Sequence, residues 1–340
     1  MEFLRRRLGL IFRALVSIFA ISWVVHTNDW NKVWLNVRTM DIPWLFAALV
    51  CFFPTLIICS WRWRMLLRIH DVHMRFWRIF ELNMIGQFFS TVGVGTTGGD
   101  VFKIFYVTRA VPQRKAAVAF TVILDRVLGL IALLLFGATL ASCRLSLLFS
   151  RPDTGKLTGT FFLFVLGGGV GSIAACLGPR LLQHERIRYL IKKLPFVHRG
   201  SSLFAAYERS ARAIGVNLLA IVGTIPSHIG ITLMGYCVLR AMYPHLQLHL
   251  VAFCAIVCIV NMLIALPVSI SGIGVREALF KTFLVLLGID AGHAIAFSLT
   301  YFALNIIWCL AGGPFYFLYR HETHTPPPDV QEVEPIFSER

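Results

Sequence analysis

The sequence predicts an all-α polytopic membrane protein, with about six full spans plus two re-entrant helical hairpins, eight hydrophobic segments in all. Three observations predict it. The 340 residues are 57% hydrophobic and only 14% charged, with a mean hydropathy of +0.73, whereas a soluble domain carries about 25% charged residues. Several apolar windows reach the roughly 20 residues that a helix needs to cross a bilayer. Two further apolar stretches are broken by turns rich in glycine.

The elements follow in order. Residues 1–25 join a basic start, Arg5-Arg6-Arg7, to an apolar run, which is the outline of a signal peptide. Arg13 interrupts that run and no small-x-small cleavage site follows it, so an uncleaved first span over about 8–25 is expected. Continuous apolar segments at about 43–60, 116–142, 157–177, 214–240 and 294–318 supply five more spans. The first broken stretch covers about 79–109 and is interrupted at Gly93-Val94-Gly95-Thr96-Thr97-Gly98-Gly99-Asp100. The second covers about 250–288 and is interrupted at Pro267-Val268-Ser269-Ile270-Ser271-Gly272-Ile273-Gly274. Residues 320–340 hold Pro326-Pro327-Pro328 and a cluster of acids with little apolar content, the composition of a disordered, acidic cytoplasmic tail.

Charge sets the orientation. The net charge of +15 is the kind of excess that nucleic-acid binders show. Here, however, the cations sit in short loops between apolar spans, as the positive-inside rule requires, and no nucleic-acid partner is expected. The basic segments are the N-terminus, residues 61–78 with Arg62, Arg64, Arg68, Arg75 and Arg78, and residues 178–213 with eight cations. Residues 241–249 hold no Lys or Arg. Arg109, Arg114 and Lys115 make the far end of the first broken stretch basic as well. A full crossing there would place one basic flank outside. A hairpin that dips in and returns satisfies both flanks, and irregular backbone at that depth is tolerated where protein or a wet cavity covers it. With this choice each half reads span, span, broken hairpin, span, over about 1–142 and 157–318, in opposite orientations. That is the pattern of an inverted repeat, within one membrane domain over 1–319. The expected location is a bacterial inner membrane with both termini in the cytoplasm.

An ionisable side chain near the bilayer centre costs roughly 2.5–3.5 kcal/mol on insertion scales, so each needs a reason. They cluster on the broken stretches and on the span after the first: Asp100, Lys103, Asp125, Arg126, Arg276, Glu277 and Lys281. Asp100 follows Gly98-Gly99 and opens a short helix. It can cap that helix, or the same glycines and free N–H groups can admit an anion, with Lys103 one turn on. The second turn repeats the plan, with Gly272 and Gly274 before Arg276, whose planar fork suits a phosphate. Asp125 and Arg126 are adjacent on one span and point in different directions. Arg126 can pair with Asp100, and Asp125 with Arg276 or Lys103, as buried ion pairs that fix the helices or as the surround of a charged headgroup. The stretch from Trp61 to Arg78 reads as an interfacial anchor facing anionic lipid headgroups.

Other chemistry finds no support. The eight cysteines form no CxxC pair and the histidines are scattered, so no metal site, disulfide framework or cofactor is expected. The chain has no GxxxxGK[ST], HExxH or GxSxG, and no loop is long enough for a soluble catalytic domain.

The segment "GVGTTGGDVFKIFYVTRA", then "KAAVAFTVILDRVLGLIALLLFG", then "LIALPVSISGIGVREALF" far downstream resembles the lysylphosphatidylglycerol synthase transmembrane-region family, also called flippase-like or uncharacterised-protein-family 0104. The likeness runs over about 8–318. The resemblance implies a glycine turn ending in Gly-Asp with a following cation (Gly98, Gly99, Asp100, Lys103) and an acid–Arg pair (Asp125, Arg126, then Gly129). It further implies a Ser-x-x-Gly-x-Gly-x-Arg-Glu turn (Ser269, Gly272, Gly274, Arg276, Glu277). Two departures are that Val92 and Gly93 stand where a proline is frequent, and that Lys103 replaces an Arg. In full-length synthases the domain resembles a lipid translocator joined to a soluble domain that charges the lipid. These 340 residues hold no such soluble domain, and the chain is not expected to be an enzyme by itself. The expectation is a flippase for an anionic, aminoacylated or glycosylated lipid, including polyprenyl-linked ones. The alternative is an accessory or catalytic subunit of lipid or lipid-linked glycan synthesis, with a separate synthase as partner.

Overall fold

The structure is a computed structural model that describes residues 34, 36–92, 97–181, 201–244, 249–266 and 272–322. The expected first span, turn residues 93–96, Ser269 and the tail beyond 322 lie outside the described residues. Every regular element among the described residues is helical: α1 (Ile42–Ile69), α2 (Phe76–Val92), α3 (Thr97–Ala110), α4 (Lys115–Ser142), the short α5 (Leu145–Leu148), α6 (Pro152–Leu181), α7 (Ser201–Arg212), α8 (Ile214–Met242), α9 (Leu250–Ala265), α10 (Val275–Leu284), α11 (Ala291–Leu310) and α12 (Gly312–Glu322).

Five helical stretches, Ile42–Ile69, Pro112–Ser142, Pro152–Ala174, Ile214–Met242 and Ala291–Tyr319, are long and apolar enough to cross a membrane. They coincide with five of the six expected spans. Their apolar side chains are not sealed inside: Leu163, Leu166, Val170 and Ile173 on α6 and Ile42, Phe46 and Val50 on α1 are exposed. Apolar surface on this scale needs lipid around it. The chain is a multi-pass membrane protein. The helices of the broken stretches differ in length. α2, α3, α9 and α10 have 17, 14, 16 and 10 residues. At 1.5 Å per residue they reach about 26, 21, 24 and 15 Å, each short of a hydrocarbon core about 30 Å thick.

Packing gathers the chain into two compact units. One comprises Leu56–Leu128, Ile173–Gly223 and Cys309–Arg340. Within it α2 and α3 fold back on each other as an antiparallel hairpin. Its helices touch because both lack side chains at the contact: a Cβ on Gly99 would stand 2.0 Å from the Gly86 carbonyl oxygen. Phe89 and Phe102 stack beside it with ring centroids 3.6 Å apart. Ile79, Leu82, Ile85 and Val107 of the hairpin join Trp63, Leu67, Val118 and Val122 in one buried cluster. Gly312 lets α12 approach α2, since a Cβ there would meet the Met84 carbonyl oxygen at 2.0 Å.

The two ends of this hairpin meet. Arg114, just after α3, donates from Nη1 to Oδ2 of Asp71 at 2.9 Å and also to the His70 carbonyl, both just before α2. Arg209 on α7 donates to the other oxygen of Asp71 at 2.7 Å. Burial works against the Asp71 carboxylate, but the hydrogen bonds from Arg114 and Arg209 outweigh it and hold its carboxyl below the usual range. Three segments that the sequence marks as basic are thus fastened to one acid.

The other unit comprises Met1–Thr55, Gly129–Ser172 and Thr224–Trp308. Here α9 and α10 flank the second turn. Gly272 and Gly274 take φ of 73° and 83°, a left-handed region that glycine enters without steric cost. A Cβ on Gly272 would also lie 2.3 Å from Cγ2 of Ile264. The two ends of this stretch are joined too: the Tyr243 hydroxyl donates to Asp290 Oδ2 at 3.1 Å. Asp290 in turn caps α11 through the N–H groups of Gly292 and His293. The Asp41 N–H donates to the Ala241 carbonyl at 2.9 Å, bringing a third segment to the same place. Pro54 and Pro226 interrupt α1 and α8. Beside them Thr55 donates to the Ser227 carbonyl at 3.1 Å, a side-chain tie between the two helices where each carries its proline.

Candidate functional site

The first cluster is built on α1, α3 and α4. α1 continues to Ile69, beyond the expected span end near 60. Arg62 is therefore a buried helical residue rather than part of an interfacial loop. Its Nε and Nη2 donate to Oδ1 and Oδ2 of Asp125 at 2.7 and 3.1 Å, the two-pronged geometry in which a guanidinium matches a carboxylate. The side chains are 7% and 14% exposed. Asp125 thus pairs with Arg62 rather than with the expected Arg276 or Lys103, because α1 runs on past Trp61 and brings Arg62 against α4. Arg126, one residue on, pairs with Asp100 in the first turn of α3, as the spacing allows. Adjacent residues diverge on a helix, so the acid–Arg dipeptide of α4 grips α1 with one side chain and α3 with the next.

Lys103 lies between these pairs. It is drawn to Asp125 and Asp100 and repelled by Arg126. Its ammonium stands 5.3 Å from the centroid of the Trp63 ring, within reach of a cation–π contact. Its stem fills the space that Gly86 leaves open, where a Cβ would meet Lys103 Cε at 2.7 Å. Gly99 is buried and Gly98 partly so. Three cations face two carboxylates, leaving one formal positive charge.

Exposure separates the members. The Arg126 side chain is 49% exposed and that of Asp100 17%. Around them Val101 and Phe105 on α3 and Ile123 and Val127 on α4 are exposed apolar residues. An ion pair at this position borders exposed apolar surface.

The second cluster is closed. Glu277 reaches back to the Gly274 N–H at 2.6 Å and accepts from Arg276 Nη2 at 2.6 Å and from the Ser298 hydroxyl at 3.1 Å. Arg276 also donates from Nε to Ser298 at 3.3 Å, and its guanidinium carbon lies 3.8 Å from the Phe302 ring centroid. Arg276 and Glu277 side chains are 6% and 4% exposed. A buried pair of this kind locks the start of α10, and its formal charges cancel.

The expected residues therefore form two groups. Gly98, Gly99, Asp100, Lys103, Asp125 and Arg126 meet in one, and Gly272, Gly274, Arg276 and Glu277 in the other. Arg62, Trp63, Ser298 and Phe302 are the additions. Arg62 was legible in principle, because Met65, Leu66, Leu67 and Ile69 prolong the apolar run past it. Ser298 carried no signal. No group of three or more His, Cys, Asp or Glu placed to hold a metal ion occurs among the described residues.

Comparison with known proteins places the chain. The family described as "Lysylphosphatidylglycerol synthase TM region" matches residues 10–313. Among curated proteins, the UPF0104 membrane protein PH1989 of Pyrococcus horikoshii is 25% identical over 127 residues, 36% of this chain and 38% of that protein. The match thus spans well under half of that relative's length. No solved structure matches the chain. The family match takes in both broken stretches and both charged clusters, and the chain belongs to the lysylphosphatidylglycerol synthase transmembrane-region family.

Proposed function

We propose that this protein is a lipid transporter that moves an anionic, aminoacylated or glycosylated lipid, polyprenyl-linked lipids included, between the leaflets of a bacterial inner membrane. The observation that carries the proposal is the half-exposed Arg126–Asp100 pair, set in a cluster with one surplus positive charge and bordered by exposed Val101, Phe105, Ile123 and Val127. A phosphate diester is a monoanion attached to apolar chains. The surplus charge matches the headgroup and the apolar border matches the tails. Asp100 holds Arg126 when no phosphate is present, and the incoming anion competes with it. The residues at the cluster balance and position charge; no covalent step is required of them.

The two broken stretches act in this reading as re-entrant hairpins. Arms too short to cross singly, with ends tied at Asp71 in one case and through Tyr243 and Asp290 in the other, support that reading. The basic segments gathered at Asp71 face the cytoplasm, as the positive-inside rule requires.

The test is reconstitution in liposomes carrying fluorescent phosphatidylglycerol or a labelled polyprenyl phosphate in both leaflets, with an impermeant quencher outside. Wild-type protein should render the inner-leaflet label accessible, and Arg126→Gln should slow that by tenfold or more. If wild-type protein leaves every label protected, the proposal fails. A deletion strain separates transport from a role in synthesis: a lipid present on the wrong leaflet indicates transport, and a lipid missing altogether indicates synthesis.

A further inference from the structure

A second charged feature lies apart from the glycine turns. The end of α1, the end of α7 and the start of α8 enclose an open groove of about 510 Å³ lined by Met65, Arg68, Ile69, Arg209, Arg212, Ala213, Val216 and Leu219. Its size falls within the roughly 300–1,000 Å³ of ligand sites. Three guanidinium groups line it and no acid does. Arg209 and Arg212 have carboxylate partners outside the lining, in Asp71 and Glu208. Arg68 is exposed and has no ion-pair partner among the described residues.

The apolar half of the groove has a direction. α7 is amphipathic, with Leu203 and Phe204 exposed on it and with Arg209 and Arg212 in its last turn, the pattern of a helix lying in a membrane interface. α8 starts two residues later and turns Leu218, Leu219 and Val222 outward. The groove therefore joins a cationic head to an apolar track.

We infer that this groove is a binding site for one anionic phospholipid of the cytoplasmic leaflet. Its phosphate sits against Arg68 with Arg209 and Arg212 alongside, and its acyl chain follows Val216 and Leu219. The site is separate from the Arg126 cluster and does not rest on the transport reading. Its occupant bridges α1 to α7 and α8, as a structural or regulatory lipid does.

Phosphatidylglycerol and phosphatidylcholine with the same photoreactive acyl chain provide the probes. Each is mixed into phosphatidylcholine nanodiscs containing the full-length protein, and cross-linked peptides are mapped by mass spectrometry. The phosphatidylglycerol probe should label peptides holding Met65–Ile69 and Val216–Leu219 well above the phosphatidylcholine probe. A basic residue near the membrane surface is worth about a fivefold change in anionic lipid binding, so Arg68→Gln should lower that labelling about fivefold. Adding Arg212→Gln should lower it further, and Arg68→Lys should keep most of it. Arg126→Gln should leave it unchanged while altering transport, which keeps the two proposals separable. Equal labelling by the two probes, labelling indifferent to Arg68→Gln in a variant that melts like wild type, or labelling confined to residues 101–127, would each overturn the inference.

Discussion

Removing either partner of the Arg62–Asp125 pair tests the account of the first cluster most directly. The pair makes two parallel bonds of 2.7 and 3.1 Å with side chains 7% and 14% exposed. Deleting one member of a buried ion pair leaves an uncompensated charge and costs about 3–5 kcal/mol. The surroundings order the two deletions. After Arg62→Met, Asp125 still feels Lys103, so the cost should sit near the lower figure. After Asp125→Leu, Arg62 and Lys103 are both left without that acid, and the cost should sit near the upper one. The double replacement removes one charge of each sign and keeps the cluster's formal surplus. Apolar substitution of a whole buried pair is frequently neutral or stabilising, so the double variant should be more stable than either single one. Apparent melting temperature in detergent, followed by aggregation and tryptophan fluorescence, gives the comparison. The reasoning is refuted if Asp125→Leu melts no lower than Arg62→Met, or if the double variant melts below both.

Three further outcomes follow from the same contacts. Gly99→Ala puts a Cβ 2.0 Å from a backbone oxygen and should cost at least about 1–3 kcal/mol as the hairpin opens, whereas Gly159→Ala, which meets nothing within 4 Å, should leave melting unchanged or slightly raised; the two melting curves decide. Asp100→Asn releases Arg126 from its carboxylate, so phosphatidylglycerol should bind about tenfold tighter in a nanodisc binding assay while lipid movement slows. Asp71 has a folded pKa below its unfolded value, so its contribution is complete above the ordinary carboxylate pKa of about 3.9 and is lost only as pH falls through the lower folded value. Asp71→Asn should therefore speed hydrogen exchange at residues 70–75 and 111–114 at neutral pH, where wild-type protein stays protected.

Helix positions were legible because bilayer thickness imposes a length that apolar runs must reach, and five of the expected spans reappear as helices of that length. That the two flanks of 79–109 lie at one end was legible from charge, since both are basic, and Arg114 and Asp71 show those flanks touching. Pairing was less legible. The sequence offered Asp125 several cations, and only three-dimensional packing shows that a residue 63 positions earlier takes it. At Arg62 two signals compete: Trp61-Arg62-Trp63-Arg64 has the composition of an interface, while the apolar residues from Met65 to Ile69 prolong the helix that carries Arg62 inside. Whether Arg276 faces outward or inward could not be read from its turn, because Ser298 and Phe302, which enclose it, come from a distant helix.

The two glycine turns carry similar residues yet differ in what remains available. In the second, the Glu277 carboxylate is taken up by the Gly274 N–H, Arg276 and Ser298, and Arg276 is spent on Glu277, Ser298 and an aromatic face. A phosphate reaching Arg276 must first displace an acid that also holds the helix start, so binding there is coupled to loosening α10. In the first, Asp100 and Arg126 hold each other at a half-exposed edge while Arg62, Asp125 and Lys103 brace the interior. An anion can exchange with Asp100 there without unfastening α1 from α4. The physical requirement for handling a charged lipid inside a membrane is a cation that is never left bare yet can change partners. Under the transport proposal Arg126 would meet both conditions, and the buried Arg62–Asp125 pair beside it would allow the exchange without α1 and α4 moving apart.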